Sequence, residues 1–298
     1  MRAPALTRDV AFVTYRKAPS MTPDDALALP PLAERGLRAR AVPWDDAGAD
    51  WGAFDAVVVR SCWDYHLRAA EFAAWLDHLE AAGARVWNPV PVLRWNASKT
   101  YLAELRERGA RTVPTEWVSR GAGVTLHEIR RRTEWDDLVV KPVVSASGHR
   151  TWRTRSAGRP EDEQRFAELL AASDALVQPF LPDVERDGEW SLVFFGGEFS
   201  HAVVKRPRPG DFRVQPEFGG TVTPVAAPAS LVGEAAAMLR HAPGPLLYAR
   251  VDGCVVGGAL VLMELELLEP TLFFGADPRA PRRFAAALGR VLESPEGR

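Results

Sequence analysis

The run LVLMELELLEP places Glu264 and Glu266 two positions apart in an otherwise apolar segment. In a strand, residues i and i+2 share a face, so the two carboxylates project together and repel each other unless a cation lies between them. The apolar flanks argue against a solvated edge, and a buried charge needs a partner. Asp252 closes the apolar run LLYARVD on what reads as the adjacent strand, joined through the turn-rich GCVVGG segment. Three hard oxygen donors on neighbouring strands suit magnesium, with water and phosphate oxygens completing its octahedron. Asp252, Glu264 and Glu266 are therefore the expected metal ligands.

Three further stretches carry groups suited to phosphates and a flat ring. In DLVVKPVVSASGHRTW, Lys141 ends an apolar strand and Ser145 to Gly148 form a loop of small residues. A lysine leaving a strand reaches phosphate as a point charge, and small residues such as Ser145 and Ser147 let backbone N–H groups approach phosphate oxygens. A solvated lysine before a plain turn is the alternative. Lys99, after Asn96, is a second candidate phosphate contact. In LVQPFLPD, Pro179 and Pro182 force an extended connector whose backbone at Phe180 and Leu181 suits an adenine edge, with Gln178 nearby. Read alone, this is equally a domain linker. In GDFRVQPEFGG, Arg213 and Gln215 alternate onto one face, and Gly219–Gly220 permits close backbone approach to a ligand. An arginine fork suits an acyl phosphate and the charge that grows on it, and Lys205 is placed to assist.

The elements that must position these groups fall into two grammars. DVAFVTY, a helical stretch from Leu27 to Arg35, LRARAVPW, FDAVVVRSCW, an amphipathic segment from Ala69 to Ala82, and ARVWNP read as βαβ units. Strands such as Ala56 to Val59 are apolar without alternation, as expected where helices cover both faces of a parallel sheet. After WNPVPVLRWN the pattern changes to a helix from about Ser98 to Arg108, then short strands in TVPTEWV and DLVVKPVV. From Leu176 onward it reads mostly as strands, with Gly196–Gly197 as a tight hairpin. Arg130 to Arg132 read as a solvated helix face.

A formal net charge of −2, with both signs spread along the chain, offers no footprint for nucleic acid. Without an apolar run long enough to span a bilayer or an N-terminal h-region, a cytoplasmic location is expected. Cys62 and Cys254 are expected as reduced, buried thiols. The chain contains no G-x-x-x-x-G-K-[ST] loop, no G-x-G-x-x-G after a strand and no H-E-x-x-H.

Taken in order, Lys99, Lys141 with its small-residue loop, QPFL, GDFRVQ…GG, Asp252 and M-E-L-E resemble the ATP-grasp superfamily. The stretch from about Gln178 to Glu266 looks most like the ribosomal-protein glutamate ligases. VRSCWDYH, LRWNASKTYL and MELELLEPTLFF resemble a narrower actinobacterial group that includes the O-ureido-D-serine cyclo-ligase of cycloserine biosynthesis. The resemblance implies an α/β fold in which a Rossmann-like pre-ATP-grasp lobe precedes two α+β lobes clamping ATP. Its expected divisions are an N-terminal domain over 1–95, a lid subdomain over 96–180 and a core subdomain over 181–298.

It also implies ATP and two magnesium ions, with Lys141, Gln178, Glu189, Arg213 and Gln215 on the nucleotide and Asp252, Glu264 and Glu266 on the metal. The family usually has aspartate at Glu189, arginine at Ser191 and asparagine at Gln215 and Glu266. The implied reaction activates a carboxylate as an acyl phosphate and couples it to a nitrogen, with Arg213 and Lys141 as the catalytic candidates. Substrate contacts are expected from Arg60, Ser61, Asp64, Tyr65 and His66, just past the strand AVVV, and from Gly219 and Gly220. Asp64 or His66 as a base for the amine rests on position alone. The expected partners are a small carboxylate and an amine, with self-association into a homo-oligomer left open. Intermolecular ligation, a phosphorylating kinase and a nucleotide-binding pseudoenzyme are the competing readings.

Overall fold

The computed structural model describes residues 7–155 and 159–294 of the chain. Residues 1–6, part of the N-terminal stretch read above, lie outside the described residues. No helix among the described residues is long and apolar enough to cross a membrane.

Three sheets organise the chain. The first holds β1 (Arg8–Thr14), β2 (Leu37–Pro43), β3 (Ala56–Val59) and β4 (Val86–Trp87) in the order β2-β1-β3-β4, all parallel. The unbroken apolar run of β3 is fully buried, as a strand covered on both faces requires. The second sheet is antiparallel, with β5 (Glu116–Val118), β6 (Asp137–Pro142), β7 (Trp152–Arg155) and β8 (Ala175–Pro179) in the order β5-β8-β6-β7. The third contains β9 (Glu189–Phe195), β10 (Glu198–Arg206), β11 (Thr221–Val225), β12 (Tyr248–Val256) and β13 (Ala259–Glu266), ordered β11-β10-β9-β12-β13 and antiparallel throughout. The β9–β10 connection is the expected tight hairpin, with Gly196 and Gly197 both at positive φ.

Three sequence expectations need correction. The helix expected from about Ser98 to Arg108 runs over Tyr101–Glu107, because Ser98 turns extended. A separate helix, Val90–Ala97, precedes it; Pro89 caps that helix and Pro91 sits in its opening turn, where a missing N–H costs nothing. The strands expected from Leu176 onward are present as β8, β9, β10, β12 and β13, with helices Asp183–Arg186, Ala229–Leu239 and Ala280–Glu293 set among and after them. Pro182 does not prolong an extended connector but caps the helix Asp183–Arg186. Arg130 is buried, not solvated, and donates to the Thr154 carbonyl at 3.1 Å.

The last helix ties the chain's ends together. Phe284 and Leu288 on Ala280–Glu293 pack with Phe12 and Leu32 from the first lobe and Phe195 from the third sheet in one buried cluster. Buried asparagines provide the other joint. Asn88 donates to the carbonyls of Tyr248 and Leu267 at 2.9 and 2.7 Å and accepts from the Leu247 N–H. Satisfied backbone groups of this kind fix where β12 begins and β13 ends.

Candidate active site

The strand register of the third sheet assembles one charged face. Directly opposed residues of antiparallel strands share a face, and here Lys205 opposes Glu189, Ser191 opposes Asp252, Asp252 opposes Glu264, and Arg250 opposes Glu266. Period-two alternation adds Glu189 to Ser191, Arg250 to Asp252, and Glu264 to Glu266. After Asp252 the register slips by one residue, leaving Met263 without an opposite, and a Cβ on Gly253 would lie 2.4 Å from the Val261 carbonyl oxygen.

The end of β13 is held from outside the sheet. Asn96 donates to the Leu265 carbonyl at 2.6 Å and accepts from the Leu267 N–H at 2.8 Å, bracketing Glu266. The Tyr101 hydroxyl accepts from the Leu265 N–H at 2.9 Å. The helix break at Ser98 turns Lys99 inward, where its N–H donates to the Val143 carbonyl and its Nζ meets Glu264 at 2.9 Å and the Ser145 carbonyl at 2.6 Å.

One cleft between the second and third sheets takes in Lys99, Lys141, Ser145, Ser147, Gln178, Phe180, Leu181, Glu189, Arg213, Gln215, Asp252, Glu264 and Glu266. At one end an apolar slot is formed by Val139, Phe180, Leu181, Val184, Val214 and Met263. Beyond it the loop from Ser145 carries Ser147 and Gly148 at positive φ. At the far end stand Trp63, Tyr65, Glu269 and Phe273.

The cleft is dense with charge, and most of it is paired. Asp252 accepts from Ser191 at 2.7 Å, from Lys205 at 2.9 Å, and from Arg250 at 2.9 to 3.1 Å. Burial opposes its charge, but Arg250 and Lys205 outweigh that and hold its carboxyl below the usual range. Lys205 also meets Glu189 at 2.6 Å, and Arg250 meets Glu266 at 2.5 Å. Burial likewise works against Glu264, and Lys99 with Lys141 outweighs it. Glu266 differs: burial and the neighbouring Glu264 and Asp252 push its carboxyl up to about 7 despite Arg250. Lys141 has no carboxylate within 4.0 Å among the described residues, and burial lowers its ammonium from the ordinary value.

These observations test the fit for a magnesium-bound nucleotide. An apolar slot, an unpaired lysine, the buried Gln215 Oε1 without a partner, and acids pushed toward neutrality for want of cations all suit such a ligand. The expected convergence of three acids on one ion is modified, however. Asp252, Glu264 and Glu266 share a face but are interleaved with Lys205, Arg250 and Lys99, so among the described residues no three acids, histidines or cysteines form a ready metal cage. The protein's own cations Lys99, Lys205 and Arg250 stand between these acids.

Other expected contacts are placed differently. Arg60 is buried away from the cleft, donating to Asp25 at 2.8 Å and to the Pro270 carbonyl at 2.8 Å. Ser61 is buried too, and Asp64 accepts from the Trp44 indole at 2.9 Å and meets Arg68 at 3.5 Å. Tyr65 does line the cleft. His66 lies in an adjoining hollow, its ring 5.0 Å from that of His149, and burial together with His149 lowers it to about 4. Gly219 and Gly220 do not open the backbone to a ligand: a Cβ on Gly220 would sit 2.1 Å from the Val214 carbonyl oxygen of the same loop. The Phe180 N–H is taken by the Asp137 carbonyl at 2.8 Å. Arg213 lines the cleft with Asp211 on two of its nitrogens and the Phe218 ring 3.7 Å beneath it.

Arg250 and Glu269 went unmarked in the sequence. Arg250 was legible, because it precedes Asp252 by two and so shares its face; Glu269 lies past the end of the strand, where alternation says nothing.

The acid surplus predicts a pH effect. A carboxyl raised in the folded state binds more protons there than in the unfolded chain, so stability falls as pH rises through the interval between the two pKa values. With Glu266 near 7 and Glu269 near 8, that interval runs from the ordinary carboxyl value of 4.5 up to about 8, and its part from about pH 6.5 to 8 lies above the range where His66 acts in the opposite sense. The ligand-free protein should therefore melt at a lower temperature at pH 8 than at pH 6.5. Glu266→Gln should flatten this slope, and an equal slope in the variant would refute the assignment.

The residues 10–88 match the family model described as D-cycloserine synthetase DcsG, N-terminal domain. The chain is 33% identical over 286 residues to the cycloserine biosynthesis protein DcsG of Streptomyces lavendulae, covering 89% of this chain and 94% of that one. It is 28% identical over 262 residues to a glutathione synthetase of Ralstonia nicotianae, covering 80% and 76% respectively. Its structure superposes on the crystal structure of D-cycloserine synthetase DcsG with a TM-score of 0.85 and 31% identity, over 96% of this chain and 100% of the other. The D-alanine–D-alanine ligase of Bacillus anthracis complexed with ATP shares the fold, at a TM-score of 0.66 and 13% identity over 96% and 97%.

Proposed function

Because the chain belongs to the DcsG family of ATP-grasp ligases, enzymes that form carbon–nitrogen bonds with ATP, we propose that it closes O-ureido-D-serine into the D-cycloserine ring: the oxygen-bound nitrogen displaces phosphate from the acyl phosphate, and the carbamoyl group that nitrogen carried is lost by hydrolysis as carbon dioxide and ammonia. The carrying observation is the single charged face of the third sheet, lining one cleft with an apolar slot and with Trp63, Tyr65 and Phe273. Carboxylate activation needs the nucleotide tail and the substrate carboxylate brought together away from water, and the cleft offers both compartments in line.

In this reading the adenine occupies the slot, edge-on to the Phe180 carbonyl and the Leu181 N–H, and Gln178 and Glu189 border the ring and ribose. Lys141, Lys99 and the loop with Ser145 and Ser147 face the phosphates. Glu264, Glu266 and Asp252 would hold magnesium, the expectation of two ions resting on the family resemblance. Magnesium, when bound, supplies the positive charge that offsets the transferring phosphoryl group. Arg213 and Gln215 close over the tail from the loop above. Arg250, released from Glu266, is placed to stabilise the oxyanion formed when nitrogen attacks the activated carbonyl. Tyr65 and Trp63 form the substrate wall. The three segments 1–95, 96–180 and 181–298 act as substrate lobe, lid and core.

The relationship to glutathione synthetase favours one second reading, joining of a separate amine to the activated carboxylate. Incubation with ATP, magnesium and O-ureido-D-serine alone should release ADP and D-cycloserine in equal amounts, measured by mass spectrometry. ADP release that requires an added amino acid, with a condensed product, would replace ring closure by intermolecular ligation.

A further inference from the structure

Three residues beyond Glu266, one more acid enters the cleft. Glu269 is 9% exposed and shares the far wall with Trp63, Tyr65 and Phe273. Apart from Lys141, the cleft's other buried charges are matched within the chain: Lys99 on Glu264, Lys205 between Glu189 and Asp252, and Arg250 between Asp252 and Glu266. Among the described residues, no lysine, arginine or histidine nitrogen comes within 4.0 Å of the Glu269 carboxylate. A buried, unpaired acid costs free energy that only a partner offsets.

Its mounting is rigid. The Glu269 carbonyl accepts from the Trp63 indole at 3.3 Å, and the next carbonyl, that of Pro270, accepts from Arg60 at 2.8 Å. Arg60 is itself locked by Asp25, also at 2.8 Å. The buried Arg60–Asp25 pair thus holds in place the turn that presents Glu269. Aromatic rings on the same wall favour a small cation, since their faces carry partial negative charge.

We infer that Glu269 binds the free ammonium group of the substrate, making this end of the cleft selective for carboxylates that carry an amino group. The inference rests on the proposed activation of a carboxylate at the same site and names the group that orients it. Burial, together with the neighbouring Glu266, pushes the Glu269 carboxyl up to about 8 against the pull of Lys99. An arriving ammonium supplies the charge that returns it to the ionised form. Glu269 then recognises substrate without touching the nucleotide.

The test measures binding of O-ureido-D-serine and of its desamino analogue, 3-(ureidooxy)propanoic acid, to the protein saturated with magnesium and AMP-PNP. Calorimetry is run on the wild type, Glu269→Gln and Glu269→Asp. A charge-assisted hydrogen bond predicts that the wild type favours the amino compound by about 10- to 150-fold. Glu269→Gln should remove that preference while keeping the wild-type affinity for AMP-PNP, and Glu269→Asp should keep part of it. A wild type that binds both compounds equally, or a Gln variant that retains the preference, overturns the inference. ADP release with O-ureido-D-serine is followed in parallel and reports separately on the ring-closure reading.

Discussion

Asp252→Ala is expected to abolish ADP formation and to destabilise the protein even without ligand. The side chain is 2% exposed and is the common partner of Lys205 and Arg250. Removing one member of a buried ion-pair network leaves the other charges without compensation, at a cost of about 3 to 5 kcal/mol. Thermal unfolding should register a fall of at least several degrees, on the order of 5 °C. Turnover should drop about 1,000-fold or more if, as proposed, Asp252 helps to hold the magnesium that stabilises phosphoryl transfer. Adding Lys205→Met to Asp252→Ala separates the two effects. It removes one stranded cation, so part of the lost melting temperature should return while activity does not. If Asp252→Ala melts like the wild type, or if the double variant is no more stable than the single one, the network is not the source of the effect.

Lys141→Met has the opposite signature. Lys141 lies at the end of β6 in the cleft with no carboxylate within 4.0 Å among the described residues, and burial lowers its ammonium. A lysine whose folded pKa lies below its unfolded value weakens the native state at every pH where the unfolded chain is protonated. Methionine keeps the length of the side chain and removes the charge, so the ligand-free melting temperature should hold or rise. Catalysis should suffer, because the charge is retained at a stability cost that a phosphate repays only on binding; loss of one such donor typically lowers turnover about 100- to 1,000-fold. A variant that melts lower, or one that turns over ATP at the wild-type rate, would show that Lys141 is spent on structure.

Together the two variants describe a site held ready by its own charges. Asp252 stabilises the fold by being paired, and Lys141 waits unpaired. On the proposed reading, Mg-nucleotide would meet Arg250 and Lys205 around Asp252 and the unpaired Lys141.

Much of this was legible from residue order. The covalent alternation of a strand puts Glu264 with Glu266, whatever the rest of the chain does, whereas Arg213 and Gln215 lie in a loop outside any strand and reach the cleft from there. The apolar run of β3 announces burial on both faces, and the Gly196–Gly197 pair announces a hairpin. The small-residue loop after Lys141 likewise declares itself, since few side chains tolerate the positive φ found at Ser147 and Gly148. Such features are local: they depend on sterics and spacing within a few residues.

Tertiary structure decided which charges meet. Nothing near Arg60 in the chain says that it turns to Asp25 and Pro270 rather than to a substrate, because that choice depends on what burial leaves as its only partners. Gly219–Gly220 looks the same in sequence whether the close approach is to a ligand or, as here, to the Val214 carbonyl of its own loop. The pairing of Lys205 with Glu189 and Asp252 requires the register of β10 against β9 and of β9 against β12, set by packing across the whole sheet. By itself, then, the sequence determined the chemical kind of each group and the face it takes on its own strand. The fold alone decided the partner each group meets and the charge it carries, because desolvation and Coulomb energies are properties of the assembled interior.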